Sequence, residues 1–187
     1  MFNEEFTAAS KGAAAKSALL KKNPGGYFLL SMLAGAYIGF GILLVFTLSG
    51  ALAGAPYTKL VMGCCFGIAL SLVVIAGAEL FTGNNLVMTA GLLRKTVTLG
   101  DALKLWGVCW VGNLAGSALL ALVFSLTGLY SDATLSAMTG AAAAKMTAGF
   151  IPLLTRGMLL IFWAPKSLQM VTAAMKLKDA YFLEGKL

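Results

Sequence analysis

Histidine is absent from the 187-residue sequence. That removes the most common zinc ligand and the usual proton carrier near neutral pH. Cysteine is scarce as well, with three in the chain. Cys64, Cys65 and Cys109 all lie inside apolar stretches at no metal-ligand spacing, so packing is their expected role and neither a metal site nor any other cofactor is expected. Charge is also sparse: 11% of residues, where soluble domains carry about a quarter. No nucleophile–base pair, metal cluster or phosphate-binding loop can be assembled from what remains, which excludes the common enzyme classes.

What is present is apolar. Hydrophobic residues make up 59% of the chain, and the mean hydropathy is +0.88. Tyr27–Leu48 and Leu105–Tyr130 contain no charge. Roughly 20 helical residues cross a hydrocarbon core of about 30 Å. The expected fold class is therefore an all-α polytopic membrane protein. Three regions are expected: an amphipathic N-terminal helix over 1–24, a transmembrane domain over 25–164, and a basic amphipathic tail over 165–187. Spans are expected near 27–48, 60–93, 105–130 and 146–163. The acidic start, with Glu4 and Glu5, does not read as a cleaved signal. Phe2, Phe6, Ala9, Ala13 and Leu20 recur at mostly helical spacing, with Lys11, Lys16, Lys21 and Lys22 between them. That pattern predicts a surface helix with its lysines toward anionic lipid, a soluble leader being the alternative.

The second span carries the functional signal. Between Lys59 and Arg94 the only charged residue is Glu79. A continuous helix there would be about 50 Å long, too long for the core at ordinary tilt. Thr82, Gly83, Asn84 and Asn85 are the candidate breakers, since glycine tolerates unusual dihedrals and asparagine caps helices. The expectation is a helix over Leu60–Ala78, an unwound loop over Glu79–Asn84 and a half-helix over Asn85–Leu93. Unpaired backbone at membrane depth survives only inside protein or beside a water-filled cavity, so a broken helix points to a binding site. Glu79 has two readings: an ionisable residue within a span marks function, or the carboxylate ties the loop by accepting hydrogen bonds.

Small-xxx-small pairs recur on three spans: Gly35/Gly39, Gly63/Gly67 and Gly112/Gly116. They predict close helix packing in a compact bundle. Basic residues are expected to lie inside: Lys11, Lys16, Lys21, Lys22, Arg94, Lys95, Lys104, Lys166, Lys176, Lys178 and Lys186. Lys59 and Lys145 are left outside, which predicts a cytoplasmic N-terminus. The +7 net charge follows that bias and requires no nucleic-acid partner.

"NPGGYFLLSMLAGAYIGFG", "MGCCFGIALSLVVIAGAELFTGN" and "LWGVCWVGNLAGS" resemble the formate/nitrite transporter family, over roughly Lys16 to Gly157. The resemblance implies a homopentamer in the inner membrane, each protomer with its own pore, built from two inverted three-helix repeats in an aquaporin-like arrangement. Its substrates are small monovalent anions of weak acids: formate, nitrite or hydrosulfide. The "AGAELFTG" loop leans toward the nitrite and hydrosulfide branches. Matched by position, Phe66 and Leu70 are the apolar constriction on the second helix, and Leu80, Phe81 and Thr82 form the loop that narrows the pore. Glu79, Gly83, Asn84 and Asn85 support that loop, and Lys145 lies at a vestibule. Read without the resemblance, Phe66 and Leu70 are plain packing residues four apart on one helix face.

The sequence departs from the family after "TRG". "MLLIFW" leads straight to Pro165, and the family's second broken helix with its central histidine has no counterpart. The expectation is a chain truncated after the fourth helix, which alone would not transport selectively. Two functional readings stand: an anion channel or transporter, and a non-transporting pseudo-subunit or scaffold.

Overall fold

The computed structural model describes residues 2–152, 154 and 155. Six helices follow in order: α1 (Phe2–Lys22), α2 (Pro24–Ala51), α3 (Thr58–Ile75), α4 (Phe81–Leu93), α5 (Leu99–Thr127) and α6 (Asp132–Met146). No strand occurs among the described residues. Helices α2, α3 and α5 are long and apolar enough to cross a membrane. The chain divides into two compact units. The first comprises Met1–Ile42 and Gly67–Leu129; the second comprises Leu43–Phe66 and Tyr130–Leu187.

Local chemistry sets the helix ends. Pro24 occupies the first position of α2, and the Asn23 Oδ1 accepts from the Gly26 amide at 2.9 Å, a proline-led cap. Helix α5 opens on a capping box: Thr98 Oγ1 accepts from the Asp101 amide at 3.1 Å, and the Asp101 carboxylate accepts from the Thr98 amide at 3.2 Å.

The break in the second span differs from the expectation above. It occupies Ala76–Leu80, and Thr82, Gly83 and Asn84 form the first turn of α4 instead of an unwound loop. Gly77 causes the stop. It adopts φ +62°, its amide donates to Val74 O at 3.2 Å, and the Ala78 amide donates to Val73 O at 3.0 Å. These two bonds close a Schellman motif, whose left-handed position favours glycine for want of a Cβ. Gly83 breaks nothing.

In the first unit, α1 packs on α4 and α5, and α4 packs on α5. Ala13, Leu20, Tyr27, Met88, Ala102, Leu105 and Cys109 form its buried cluster. Helix α1 therefore turns one face to protein, and Lys16 departs from the expected orientation toward lipid. Its inward stripe is Ser10, Ala13, Ser17 and Leu20. Lys16 turns inward to Glu79, and Lys21 pairs with Asp101 at 2.7 Å. Helix α2 meets α5 through glycine: a Cβ on Gly35 would strike the Asn113 backbone, and one on Gly116 the Met32 backbone. The pair on α3 behaves otherwise. Nothing among the described residues lies within 4 Å of a Cβ placed on Gly63 or Gly67, so that motif closes no contact among them.

In the second unit, the Thr58 hydroxyl donates to Leu52 O at 2.6 Å and Ala55 O at 2.8 Å, which caps the turn into α3. Ser131 Oγ accepts from the Thr134 amide at 3.2 Å to start α6. The expected fourth span, Met146–Trp163, begins at the last residue of α6. Residues 147–149 leave the helix, which resumes at 150. Its remainder, Arg156 included, and the tail 165–187 lie outside the described residues.

Candidate functional site

Glu79 is the centre of the polar chemistry in the first unit. The residue is 6% exposed, in a stretch otherwise apolar. An unpaired carboxylate there would be very costly, so its partners decide what it does. Lys16 Nζ donates to both oxygens at 2.6 Å. The Tyr27 hydroxyl donates to Oε2 at 3.1 Å, and Asn84 Nδ2 donates to the same oxygen at 2.9 Å. The residue's backbone is held as firmly. Its amide donates to Leu30 O at 3.1 Å, and its carbonyl accepts from Asn113 Nδ2 at 2.9 Å and Cys109 Sγ at 3.1 Å. The carboxylate and the backbone of Glu79 together hold the break to its neighbours. Four elements, α1, α2, α4 and α5, meet on this residue and its neighbours.

Asn84 extends the network. It is 2% exposed, and its Nδ2 also reaches the Tyr27 hydroxyl at 2.9 Å and Cys109 Sγ at 3.3 Å. Its carbonyl accepts from Trp106 Nε1 at 3.4 Å. No buried side-chain nitrogen or oxygen among the described residues lacks a partner. A satisfied buried network of this kind rigidifies its surroundings.

The network leaves one end of α4 open. Leu80 is the N-cap and makes no side-chain cap bond. The Phe81 amide is taken by Asn113 Oδ1 at 2.9 Å. The next two amides, of Thr82 and Gly83, find no acceptor among the described residues, and both residues are exposed. The helix dipole adds partial positive charge at these amides, and the nearest carboxylate, Glu79, is already compensated by Lys16. Amides at a helix start, with the Thr82 hydroxyl beside them in sequence, suit a small anion.

The other candidate residues are placed as follows. Phe81 and Leu80 are half-buried at the start of α4, and Asn85 is half-buried in its first turn. Phe66 and Leu70 are exposed on α3, each at 41%. Lys145 is exposed in the last turn of α6, in the second unit. The structure thus brings Glu79 and Asn84 into one cluster with Leu80 and Phe81 alongside.

Sequence reasoning missed Lys16, Tyr27, Cys109 and Asn113 as members. A signal existed for Lys16. Ser10, Ala13 and Ser17 are small residues at spacings of three and four, the mark of a close-packed face, and Lys16 lies three after Ala13 and four before Leu20, on the edge of that face. No sequence signal singles out Asn113, because its partners lie about 30 and 80 residues away.

Comparison with known proteins bears on this arrangement. Residues 3–160 match the family described as "Formate/nitrite transporter". The nitrite transporter NirC of Escherichia coli (strain K12) is 39% identical over 160 residues, 85% of this chain and 59% of the relative. A probable formate transporter of Methanothermobacter thermautotrophicus is 44% identical over 117 residues, 60% of this chain and 43% of the relative. A solved structure titled "FNT family ion channel" superposes with TM-score 0.73 at 39% identity, covering 79% of this chain and 59% of the other. The chain spans about half the length of the curated relatives it matches.

Proposed function

The chain belongs to the formate/nitrite transporter family, and from that premise we propose that the protein is a membrane channel or transporter for small monovalent anions of weak acids. Formate, nitrite and hydrosulfide are its candidate substrates. The observation that carries the reading is the open start of α4, where the Thr82 and Gly83 amides have no acceptor among the described residues and the neighbouring carboxylate is neutralised by Lys16. The nitrite and formate relatives are comparably identical to the chain, so identity chooses neither anion. The scaffold alternative draws no support from relatives that carry transporter and channel names.

In this reading Leu80, Phe81 and Thr82 line the narrow part of the path. Phe66 and Leu70 supply an apolar slit that disfavours hydrated ions. Gly83 and Asn85 belong to the same first turn of α4, and Lys145 gathers anions at a vestibule. The protein is a homopentamer in the plasma (inner) membrane, each protomer with its own path. The test is flux of the three anions into proteoliposomes holding the full gene product, against empty vesicles. Saturable flux of at least one of them is expected, and none above background overturns the reading.

Thr82→Val keeps the side-chain volume and removes the hydroxyl. Loss of one hydrogen bond to a charged ligand should lower flux at sub-saturating anion roughly tenfold. Assembly, followed by size-exclusion chromatography, should be unchanged, because Thr82 is exposed and supports no neighbour among the described residues. Wild-type flux in this variant would return Thr82 to a plain helix-start role.

The N-terminus is cytoplasmic in the same reading. The Lys21–Asp101 pair joins the end of α1 to the start of α5, and Lys22, Arg94, Lys95 and Lys104 lie in sequence within a few residues of one partner or the other. Alkaline phosphatase inserted at residue 55 should be active and at residue 96 inactive. The opposite pattern would invert the topology.

A further inference from the structure

We propose that Asn113 is the positioning residue of the anion path, a side chain on α5 that selects which amides of α4 are offered to the anion. The inference rests on the anion-channel reading of the α4 start and deepens it.

Asn113 uses every hydrogen-bonding group of its carboxamide, and on three different stretches of chain. Nδ2 donates to Ser31 O on α2 at 2.8 Å and to Glu79 O in the break at 2.9 Å. Oδ1 accepts from the Phe81 amide at 2.9 Å. A carboxamide has two donors and one acceptor oxygen, so this is a full complement apart from a spare lone pair. The same side chain therefore holds the last turn of the break from one side and the first amide of α4 from the other.

Its own position is set by backbone contact. Gly112 packs on Ser31, where an added Cβ would meet the Ser31 side chain at 2.5 Å, and Gly35 leaves no room for a Cβ against the Asn113 backbone. Ser117, one turn on, donates to Asn113 O at 2.7 Å and Gly35 O at 3.1 Å. The carboxamide thus projects from backbone locked to α2, and it transfers that rigidity to the break.

The chemical consequence is selection among donors. Leu80 provides no side-chain cap, so without Asn113 the Phe81 amide would join those of Thr82 and Gly83 as a free donor. The break would also lose its hold on α5 apart from the Cys109 thiol. Three mobile amides bind any small anion; two amides held at fixed angles discriminate by size and shape. A helix terminus is the least stable part of a helix, and an external cap is what prevents its fraying.

The experiment compares Asn113→Leu, Asn113→Asp and Ser117→Ala in the full gene product. Leucine removes all three bonds at similar volume. Aspartate keeps the acceptor for the Phe81 amide and loses both donors, and it serves where the leucine variant fails to assemble. Ser117→Ala weakens the α2–α5 contact without touching the break. Two readouts are taken: amide hydrogen exchange of the peptide spanning 76–86, and proteoliposome flux of nitrite and formate against chloride. For Asn113→Leu the proposal expects faster exchange at Glu79 and Phe81, whose amides are the bonded ones, and a roughly tenfold rise in half-saturating anion, with selectivity against chloride falling by a similar factor. Asn113→Asp should show the faster exchange at Glu79 with Phe81 still protected, and a fall in selectivity. Ser117→Ala, which loosens the backbone carrying Asn113 but keeps its three side-chain bonds, should lower the melting temperature and shift selectivity less than either Asn113 variant. Unchanged exchange in both Asn113 variants overturns the proposal. So does faster exchange with wild-type half-saturation and selectivity, which would make Asn113 structural only. Absence of anion flux from the wild-type protein instead overturns the channel reading, and the selectivity half of this proposal with it, while the exchange arm still reports whether Asn113 holds the break.

Discussion

Lys16→Met should destabilise the protein by about 3 kcal/mol, since removing one partner of a buried ion pair leaves the other charge uncompensated. The lower end of that range applies because the Lys16 side chain keeps 27% exposure, whereas Glu79 keeps 7%. Two further donors, Tyr27 and Asn84, stay on Oε2, but both are neutral and cannot replace an ammonium bonded to both oxygens at 2.6 Å. Anion flux should fall at least as steeply. The freed carboxylate lies three residues before Thr82 and would oppose an anion approaching the α4 amides. The double variant Lys16→Met/Glu79→Gln should recover much of both losses, because the buried charge is then gone and a carboxamide oxygen still accepts from Tyr27 and Asn84. Melting in detergent, followed through the fluorescence of Trp106 beside the Asn84 carbonyl in a background with Trp110 and Trp163 replaced by Phe, measures the first effect. Proteoliposome flux measures the second. A double variant no better than Lys16→Met would show that the pair is not coupled in this way.

Gly116→Val should be more damaging to assembly than the same change at Gly67 on α3. A Cβ at residue 116 would overlap the Met32 carbonyl, and backbone cannot rotate aside as a side chain can. Helices α2 and α5 would have to separate, which strands the Ser117–Gly35 and Asn113–Ser31 bonds together. Overpacking commonly costs about 1–3 kcal/mol, and a clash with backbone belongs at or above the upper end. Loss of the monodisperse peak on size-exclusion chromatography is the expected readout. Gly67→Val is the contrast, because nothing among the described residues lies within 4 Å of a Cβ there. It should leave the fold of the first unit intact. Equal damage from both substitutions would mean that the α3 glycines pack against something outside the described residues.

Much of this was open to a reading of the chain alone, because the relevant signals are local. A run without charge is a property of neighbouring residues, so the membrane class and the spans of α2 and α5 could be read directly. The interruption of the second span followed from length and from one buried acid. Its position did not. Gly77 and Gly83 are the same residue type six positions apart, and only the hydrogen bonds to Val73 and Val74 show which one takes the left-handed turn. The three small-residue pairs are alike on paper, yet those on α2 and α5 face each other and the one on α3 faces neither.

Charge shows the same division. The sequence by itself determined that this is a helical membrane protein, that its second span is broken near an isolated carboxylate, and that its motifs resemble one family of anion transporters. Each is written in composition or in short runs of residues. Only the tertiary structure decided that Lys16, one of four lysines in an apparently lipid-facing helix, is the cation of Glu79, and that Asn113 caps α4 from across the bundle. Those pairings join residues 63 and 32 positions apart. A buried charge must find a partner wherever the fold brings one, and periodicity along a single helix carries no record of which residue that is.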